Sequence, residues 1–222
     1  MKKLNVLKQL VEAGVVAVLR ADSAEEVVRM AEYAIEGGIK AIEITMTVPH
    51  ALKAIEELSS KYSSDVDPSD ASFAIIGVGT VLDPETARAA IMAGAEYVVA
   101  PALNPDTVKL CNRYCIPCLP GVMTIQEIQS ALELGVDIVK LFPGNLYSPS
   151  VISAVKGPLP QANMMPTGGV SLANLKEWIQ AGAVAVGIGS DLTKDAVKTG
   201  NFDLIKDKSA AYMQAYREAK GQ

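Results

Sequence analysis

The sequence predicts an α/β fold: a (β/α)8 TIM barrel with an extra N-terminal helix, in a single domain over residues 1–222. Short apolar runs alternate with amphipathic stretches from end to end, as expected of parallel strands joined by crossover helices. The apolar runs are nearly continuous, which is typical of strands buried on both faces. Eight such units in 222 residues favour a compact barrel, and an open, doubly wound sheet is the competing architecture.

The composition belongs to a chain that can bury a large core. Hydrophobic residues make up 50% of the sequence, charged residues make up 20%, and the mean hydropathy is +0.23. These values exclude a disordered chain. The net charge of −5 argues against nucleic acid or a membrane surface as the main partner, so any bound anion needs a local site. The sequence contains neither a long uncharged apolar run nor a secretory leader pattern, and we expect a cytoplasmic protein.

Eight strands and eight helices are predicted in alternation. The strands are Val15–Arg20, Ile39–Thr45, Phe73–Thr80, Tyr97–Pro101, Pro117–Gly121, Ile138–Pro143, Asn163–Gly169 and Val184–Ser190. The helices that follow them are Ala24–Glu36, His50–Tyr62, Pro84–Ala93, Pro105–Arg113, Ile125–Leu134, Ser148–Val155, Leu172–Ala181 and Phe202–Lys220. The segment Lys3–Ala13 is predicted to be the extra helix, at the N-terminal mouth of the barrel.

Local signals support these helix boundaries. Ser23 and Thr124 each precede a helix and are followed three residues later by glutamate, which is the pattern of a capping box. Left-handed glycines are predicted to end four helices, at Gly37, Gly94, Gly135 and Gly182. The polar segment Ser63–Ser72 joins a helix to a strand, so we expect a solvated insertion on the barrel face opposite the chemistry.

The three cysteines, Cys111, Cys115 and Cys118, are too few for a disulfide framework. Their spacing is conceivable for a metal site. However, a structural zinc takes four ligands, and the single histidine, His50, is remote in sequence. Buried thiols in a reducing compartment are the favoured interpretation. No metal and no cofactor is predicted.

Lys140 is the most informative polar residue, because barrel active sites lie at the carboxyl ends of the strands. Alternation places it on one strand face with Ile138 and Phe142. Desolvation disfavours an ammonium group in such surroundings and leaves more neutral amine, the form that attacks a carbonyl to give a Schiff base. A lysine that reaches solvent or pairs with a carboxylate is an equally good interpretation of this strand alone.

Glu43 and Arg20 present similar alternatives on two other strands. Glu43 shares a strand face with Ala41 and Thr45, and a carboxylate buried there is a general acid/base, the partner of an internal salt bridge, or both. Arg20 ends the first strand and is predicted to point inward. Its guanidinium is suited to hold a substrate carboxylate through two hydrogen bonds, and a structural pair with Glu43 is the alternative.

Glycine-rich turns close three of the strands. The segments Pro166–Ser171 and Gly187–Ser190 follow strands seven and eight, the usual phosphate site of a barrel, where glycine lets backbone N–H groups approach an anion. Tight turns without a ligand are the alternative. The segment Gly77–Thr80 ends strand three, leaves room inside the barrel and offers the Thr80 hydroxyl to a substrate.

From about Val15 to Leu192 the chain resembles the family of 2-keto-3-deoxy-6-phosphogluconate (KDPG) and 4-hydroxy-2-oxoglutarate (KHG) aldolases. The resemblance rests on the joint order and spacing of short motifs, each of them weak alone. They are Gly37-Gly38, Ile42-Glu43-Ile44-Thr45, Gly77-Val78-Gly79-Thr80-Val81, Pro120-Gly121, Lys140-Leu141-Phe142-Pro143, Pro166-Thr167-Gly168-Gly169-Val170 and Gly189-Ser190.

The resemblance implies a metal-independent class I aldolase in which Lys140 forms the Schiff base and Glu43 is the general acid/base. The positions that bind substrate and its phosphate in the family match Thr80, Pro101, Thr167, Gly168, Gly169, Gly189 and Ser190. The implied partner is a small-molecule 2-keto-3-deoxy sugar acid phosphate, and the implied assembly is a homotrimer. The expected reaction cleaves 2-dehydro-3-deoxy-6-phosphogluconate to pyruvate and glyceraldehyde 3-phosphate, with 4-hydroxy-2-oxoglutarate as a further substrate.

Three alternatives stay open to different degrees. The galactonate-derived substrate is one, and a non-catalytic sugar-phosphate-binding barrel is another. A metal-dependent phosphosugar epimerase is disfavoured, because it needs several histidine and aspartate ligands.

The chain also departs from some family members, which carry an arginine four residues after the glutamate, where this sequence has Thr47. Arg20 is expected to take over the substrate carboxylate, as the arginine that ends strand one does in other members.

Overall fold

The computed structural model describes residues 1–221, which form short parallel strands and α-helices in alternation. The strands β1 to β9 are Val15–Leu19, Ala41–Thr45, Ile75–Gly79, Tyr97–Val99, Cys118–Leu119, Gly121–Val122, Val139–Leu141, Met164–Pro166 and Val186–Ile188. The helices α1 to α10 are Lys2–Ala13, Ala24–Glu36, Ala51–Lys61, Pro84–Met92, Pro105–Arg113, Ile125–Glu133, Ser150–Lys156, Leu175–Gln180, Ser190–Thr199 and Asp203–Lys220. A 3-10 turn, Gly144–Leu146, follows β7.

The strands form a curled parallel sheet. One hydrogen-bonded group has the order β5-β4-β3-β2-β1-β9, and a second group has the order β6-β7-β8. An isolated parallel bridge between Thr167 and Gly187 connects the two groups on the side of β8 and β9. On the other side, Pro120 alone separates β5 from β6, and its carbonyl accepts a hydrogen bond from the backbone N–H of Lys140.

The two faces of the sheet pack into separate apolar clusters. The larger cluster joins the outer face to the helices and includes Val139 and Leu141 of β7. The smaller cluster fills the inner face and includes Ile138 of the same chain segment, together with Val18 and Tyr97. The alternation predicted for the seventh strand is therefore confirmed, and it directs Lys140 inward.

Helix α1 covers the N-terminal end of the inner face, as the sequence predicts. Its residues Val6 and Leu10 are buried within the smaller cluster. Gly14 ends the helix in the left-handed conformation, and its N–H donates to the carbonyl of Leu10. No helix among residues 1–221 is both long enough and apolar enough to span a membrane.

The main helix that the sequence analysis missed is α9, which begins at Ser190, the last residue of the predicted eighth strand. The strands are also shorter than predicted, and the fifth is interrupted at Pro120, which has no N–H to donate to a neighbouring strand. Gly94, Gly135 and Gly182 adopt the left-handed conformation as predicted, but Gly37 does not. The left-handed residue after α2 is Gly38.

The segment between α3 and β3 is less solvated than predicted at its beginning. Ser64 is buried, and its hydroxyl donates to the carboxylate of Glu96 at the start of β4. Its carbonyl accepts a hydrogen bond from the side chain of Gln9 on α1 at 2.8 Å. Residues 67–71 form an exposed tip, and Asp65 is exposed as well, so this connection combines a stem anchored at Ser64 with a solvated turn.

Candidate active site

The central feature of the inner face is a buried pair formed by Lys140 and Glu43. Lys140 Nζ lies 3.6 Å from Glu43 Oε1, and the two side chains are 4% and 0% exposed. The ammonium also lies 5.0 Å from the centre of the Phe142 ring. Lysine and glutamate are rarely this deeply buried unless they are paired. Both interpretations of Glu43, as an acid/base and as an ion-pair partner, are compatible with this geometry.

Glycine at position 79 provides the space for the Glu43 carboxylate. A Cβ atom at Gly79 would lie 1.9 Å from Glu43 Oε1, which is far inside contact distance. Neither carboxylate oxygen has a hydrogen-bond partner among residues 1–221, although both are buried. The unsatisfied oxygens are therefore available to a molecule bound in the site.

Tyr97 lies in the same layer of the inner face and was missed by the sequence analysis. Its ring stands over Gly77, where a Cβ atom would lie 2.3 Å from the ring, and Gly77 pairs with Glu43 in the β2–β3 register. Burial and the charges of Glu43 and Glu96 raise the pKa of Tyr97 well above its ordinary value. Its hydroxyl, which has no protein partner in the described chain, is thus a neutral donor near Glu43.

A cavity of about 320 Å³ opens at the carboxyl ends of β1, β7, β8 and β9. Its lining includes six of the predicted substrate-binding residues: Arg20, Thr167, Gly168, Gly169, Gly189 and Ser190. Gly168 and Gly169 both have positive φ, which brings their backbone to the wall of the cavity without side chains. The cavity adjoins the buried pair through Phe142 and Val18, which also line it.

Two predicted binding residues lie elsewhere. Thr80 lines a second cavity, of about 280 Å³, together with Thr47, and its backbone is left-handed. Pro101 is half-buried, and its carbonyl oxygen lies against Gly121, where a Cβ atom would approach to 2.1 Å. Arg20 lines the 320 Å³ cavity and a third one, which it shares with Thr47. The structure thus brings Arg20 and Thr47 to adjacent parts of one surface.

Asp191 and Lys194 also line the 320 Å³ cavity, which is called the main cavity from here on, and they were not singled out from the sequence. Both lie in the first turns of α9, the helix that the sequence analysis missed, and their side chains form an ion pair at 3.1 Å. The signal that could have found them is the run from Ser190 to Gly200, where a left-handed glycine ends a short amphipathic helix.

The cysteines form no metal site. Cys111 and Cys118 are buried and Cys115 is exposed. The hydrogen bond with Cys118 holds the pKa of Cys111 below its ordinary value, and the same hydrogen bond together with burial raises the pKa of Cys118. Within residues 1–221, no cluster of three or more histidine, cysteine, aspartate or glutamate side chains could hold a metal ion.

Comparison with known proteins identifies the family to which this chain belongs. A family model described as KDPG and KHG aldolase matches residues 6–208. The chain belongs to the KDPG and KHG aldolase family. Among its relatives in this family is a 2-dehydro-3-deoxy-phosphogluconate aldolase of Pseudomonas aeruginosa, 34% identical over 93% of this chain and 91% of that enzyme. The 2-dehydro-3-deoxy-6-phosphogalactonate aldolase of Escherichia coli is 31% identical over 92% of this chain and 95% of that enzyme.

A solved structure of the same family provides the most informative likeness. The KDPG aldolase of Legionella pneumophila, with pyruvate captured as a covalent carbinolamine intermediate, superposes with a TM-score of 0.81. It is 27% identical and covers 96% of this chain and 98% of that one. In this chain, a buried amine beside a carboxylate, next to a glycine-lined cavity, has the groups required for Schiff-base chemistry on a small anionic substrate.

Proposed function

We propose that this chain is a metal-independent class I aldolase that cleaves 2-dehydro-3-deoxy-6-phosphogluconate to pyruvate and glyceraldehyde 3-phosphate. The observation that carries the proposal is the buried pair of Lys140 and Glu43, 3.6 Å apart beside the glycine-lined cavity. A barrel that only bound sugar phosphates would need the glycine turns, but it would gain nothing from two buried charges, which are costly to desolvate.

The first half of the reaction forms the imine. Imine formation needs the neutral amine of Lys140, and the Glu43 carboxylate, whose Oε1 lies 3.6 Å from Nζ, is placed to accept the proton that the amine gives up. The amine attacks the keto carbon of the substrate to give a carbinolamine. Glu43 returns the proton to the carbinolamine hydroxyl, and loss of water leaves a protonated imine beside the Glu43 carboxylate. The positive imine nitrogen then withdraws electrons from the adjacent carbons, which is the role that a metal has in other aldolases.

The second half breaks the carbon–carbon bond. Glu43 removes the proton from the C4 hydroxyl, the C3–C4 bond breaks, and its electron pair moves toward the imine to give an enamine. Glyceraldehyde 3-phosphate leaves, the enamine is protonated at C3, and hydrolysis releases pyruvate and restores Lys140. In this scheme, the Glu43 carboxylate, which has no hydrogen-bond partner among residues 1–221, takes the proton of the C4 hydroxyl and returns it to C3 of the enamine.

The remaining site residues bind the ends of the substrate. We assign the carboxylate to Arg20, whose guanidinium reaches the cavity from the end of β1. We assign the phosphate to the backbone N–H groups of Gly168 and Gly169 and to the start of α9 at Gly189 and Ser190. Thr167, Thr80 and Pro101 are proposed to line the path of the sugar chain.

Three features of the whole molecule belong to this proposal. We infer that β5 and β6 are one strand interrupted at Pro120 and that the Thr167–Gly187 bridge closes eight strands into a complete (β/α)8 barrel. We also infer a single domain over residues 1–222, of which Gln222 lies outside the described residues. A cytoplasmic homotrimer is proposed from family membership. Sedimentation should then give three times the chain mass of 23.4 kDa.

The substrate is tested by measuring pyruvate release from three compounds: 2-dehydro-3-deoxy-6-phosphogluconate, its galactonate epimer and 4-hydroxy-2-oxoglutarate. We expect cleavage of the gluconate compound with the highest kcat/KM and weaker cleavage of hydroxy-oxoglutarate, which has no phosphate. A higher kcat/KM for the galactonate compound would assign that substrate instead, as the 31% identical Escherichia coli enzyme suggests. Absence of pyruvate release from all three would overturn the proposed function.

A further inference from the structure

The start of α9 carries an ion-paired network that faces the main cavity. Asp191 and Lys194 both line this cavity, beside Gly169 and Ser190. Ser190 and Lys194 are four residues apart on the same helix, so their side chains lie on the same face. The lysine therefore stands one turn above the residues to which the phosphate is assigned.

The carboxylate of Asp191 is held from several sides. The Tyr212 hydroxyl donates a hydrogen bond to Oδ2, and Lys208 Nζ lies 3.4 Å from the same oxygen. Lys194 Nζ lies 3.1 Å from Oδ1. Lys208 also donates to the backbone carbonyl of Asp191. Helix α10 thus fixes Asp191, and Asp191 in turn holds one of the three N–H donors of Lys194.

Lys194 keeps the capacity to bind a second anion. Its side chain is 56% exposed, and one hydrogen bond to Asp191 leaves two donors free. Arg20 and Lys194 are the two cationic side chains in the cavity lining, and Arg20 is already assigned to the substrate carboxylate. Because the net charge of the chain is −5, its overall field does not attract a doubly charged phosphate. A local cation such as Lys194 therefore contributes directly to phosphate binding.

We propose that Lys194 binds the substrate phosphate directly and that Asp191, fixed by Tyr212 and Lys208, positions it. The inference rests on the proposed function, because it adds a side-chain contact to the backbone phosphate site. Lys194 then determines specificity for phosphorylated over unphosphorylated substrates. Asp191 is a positioning residue, since its own charge repels phosphate.

The first test compares Lys194→Met with Lys198→Met, which removes the same charge one turn further along α9, from an exposed residue outside the cavity lining. We expect Lys194→Met to raise the KM for 2-dehydro-3-deoxy-6-phosphogluconate by about five- to tenfold, the effect of one partly exposed charge-assisted hydrogen bond. The kcat, the KM for the unphosphorylated sugar acid and all parameters of Lys198→Met should change less than twofold.

A binding measurement keeps this test separate from the proposed reaction. Calorimetric titration with glycerol 3-phosphate should show about the same five- to tenfold weakening in Lys194→Met and none in Lys198→Met. An unchanged phosphate affinity in Lys194→Met, or an equal loss in both variants, would overturn the role of Lys194. Failure of the wild type to cleave any sugar acid would overturn the proposed function, while the titration would still decide whether Lys194 binds phosphate.

The role of Asp191 is tested by the direction in which Asp191→Asn changes the KM, measured once with Lys194 present and once with it replaced. Removing a negative charge beside a phosphate should lower the KM if Asp191 acts only by repulsion. We expect Asp191→Asn to raise the KM for phosphorylated substrate about two- to fivefold, because Lys194 loses its orienting partner. In the Lys194→Met background the same change should lower the KM, since only the repulsion remains. A lower KM in both backgrounds would overturn the positioning role.

Discussion

At the residue scale, the proposed function assigns the substrate carboxylate to Arg20, because the family resemblance has Thr47 at the position where some members carry an arginine. The guanidinium lies at the exposed end of β1 and lines the main cavity. Arg20→Lys keeps the charge and loses the planar pair of donors, so the half-saturating concentration of pyruvate in imine formation should rise about tenfold. Arg29→Lys is the matched control, since Arg29 packs over Phe202, away from the cavity. Normal pyruvate binding by Arg20→Lys would place the carboxylate anchor elsewhere.

Sequence patterns predict which side chains share a strand face, but they do not predict the distances between those side chains. The period of two along a strand grouped Lys140 with Ile138 and Phe142, but it left open whether that face points into the barrel or toward the helices. The distance between Lys140 and Glu43 was not predictable, because it depends on the curl of the sheet and on the space that Gly79 leaves for the carboxylate. Tyr97 was missed for a related reason, since an aromatic residue in an apolar strand is ordinary core unless the facing residue is known to be glycine.

At the scale of elements, helices were predicted more accurately than strands. Helices α2 and α5 have the predicted bounds, because capping residues and proline mark their starts. Strand ends have no comparable signal, and the structure shortens most of them. Helix α9 was lost because the sequence Gly-Ile-Gly-Ser was assigned wholly to a strand and turn, although the helix begins at the serine. Because the start of α9 was assigned to a strand, Asp191 and Lys194 were not recognised as residues of the cavity.

The connection that contacts Glu96 gives an element-scale prediction with a defined pH dependence. Burial raises the pKa of Glu96 above its ordinary value of 4.5, and the opposing hydrogen bond from Ser64 and charge of Lys2 do not cancel the effect. The folded protein therefore binds a proton at Glu96 more tightly than the unfolded chain does. Its contribution to the free energy of unfolding is favourable at low pH and is lost as pH rises above about 4.5.

Glu96→Gln should remove this dependence. We expect its free energy of unfolding, relative to the wild type, to increase between pH 4.5 and pH 7.5, because the amide has no charge to desolvate. Urea unfolding across this range measures the effect. Glu56→Gln, an exposed change on α3, is the control and should leave the profile unchanged. Parallel profiles for Glu96→Gln and the wild type would contradict the raised pKa of Glu96.

At the scale of the whole molecule, helix α10 contacts both helix α1 and the start of helix α9. Tyr216 on α10 donates a hydrogen bond to the carbonyl of Val11 on α1, and its ring occupies the space beside Gly14. Tyr212, one turn earlier on α10, fixes Asp191 at the cavity. Helix α10 therefore contacts both the N-terminal end of the sheet, which α1 covers, and the carboxyl end, where the cavity lies.

The central claim is that Lys140 is the amine that forms the imine, and incubation with pyruvate and borohydride tests it most directly. Lys40 is the informative competitor, because partial burial lowers the pKa of its amine without placing it in the site. Peptide mass analysis should find one three-carbon adduct, on Lys140. Lys140→Met should abolish both the adduct and cleavage with the fold intact, whereas Lys40→Met should retain both. Glu43→Gln should still form the adduct and lose about 10²- to 10⁴-fold in cleavage rate. An adduct on Lys40 or another lysine, or full cleavage by Lys140→Met, would contradict the mechanism.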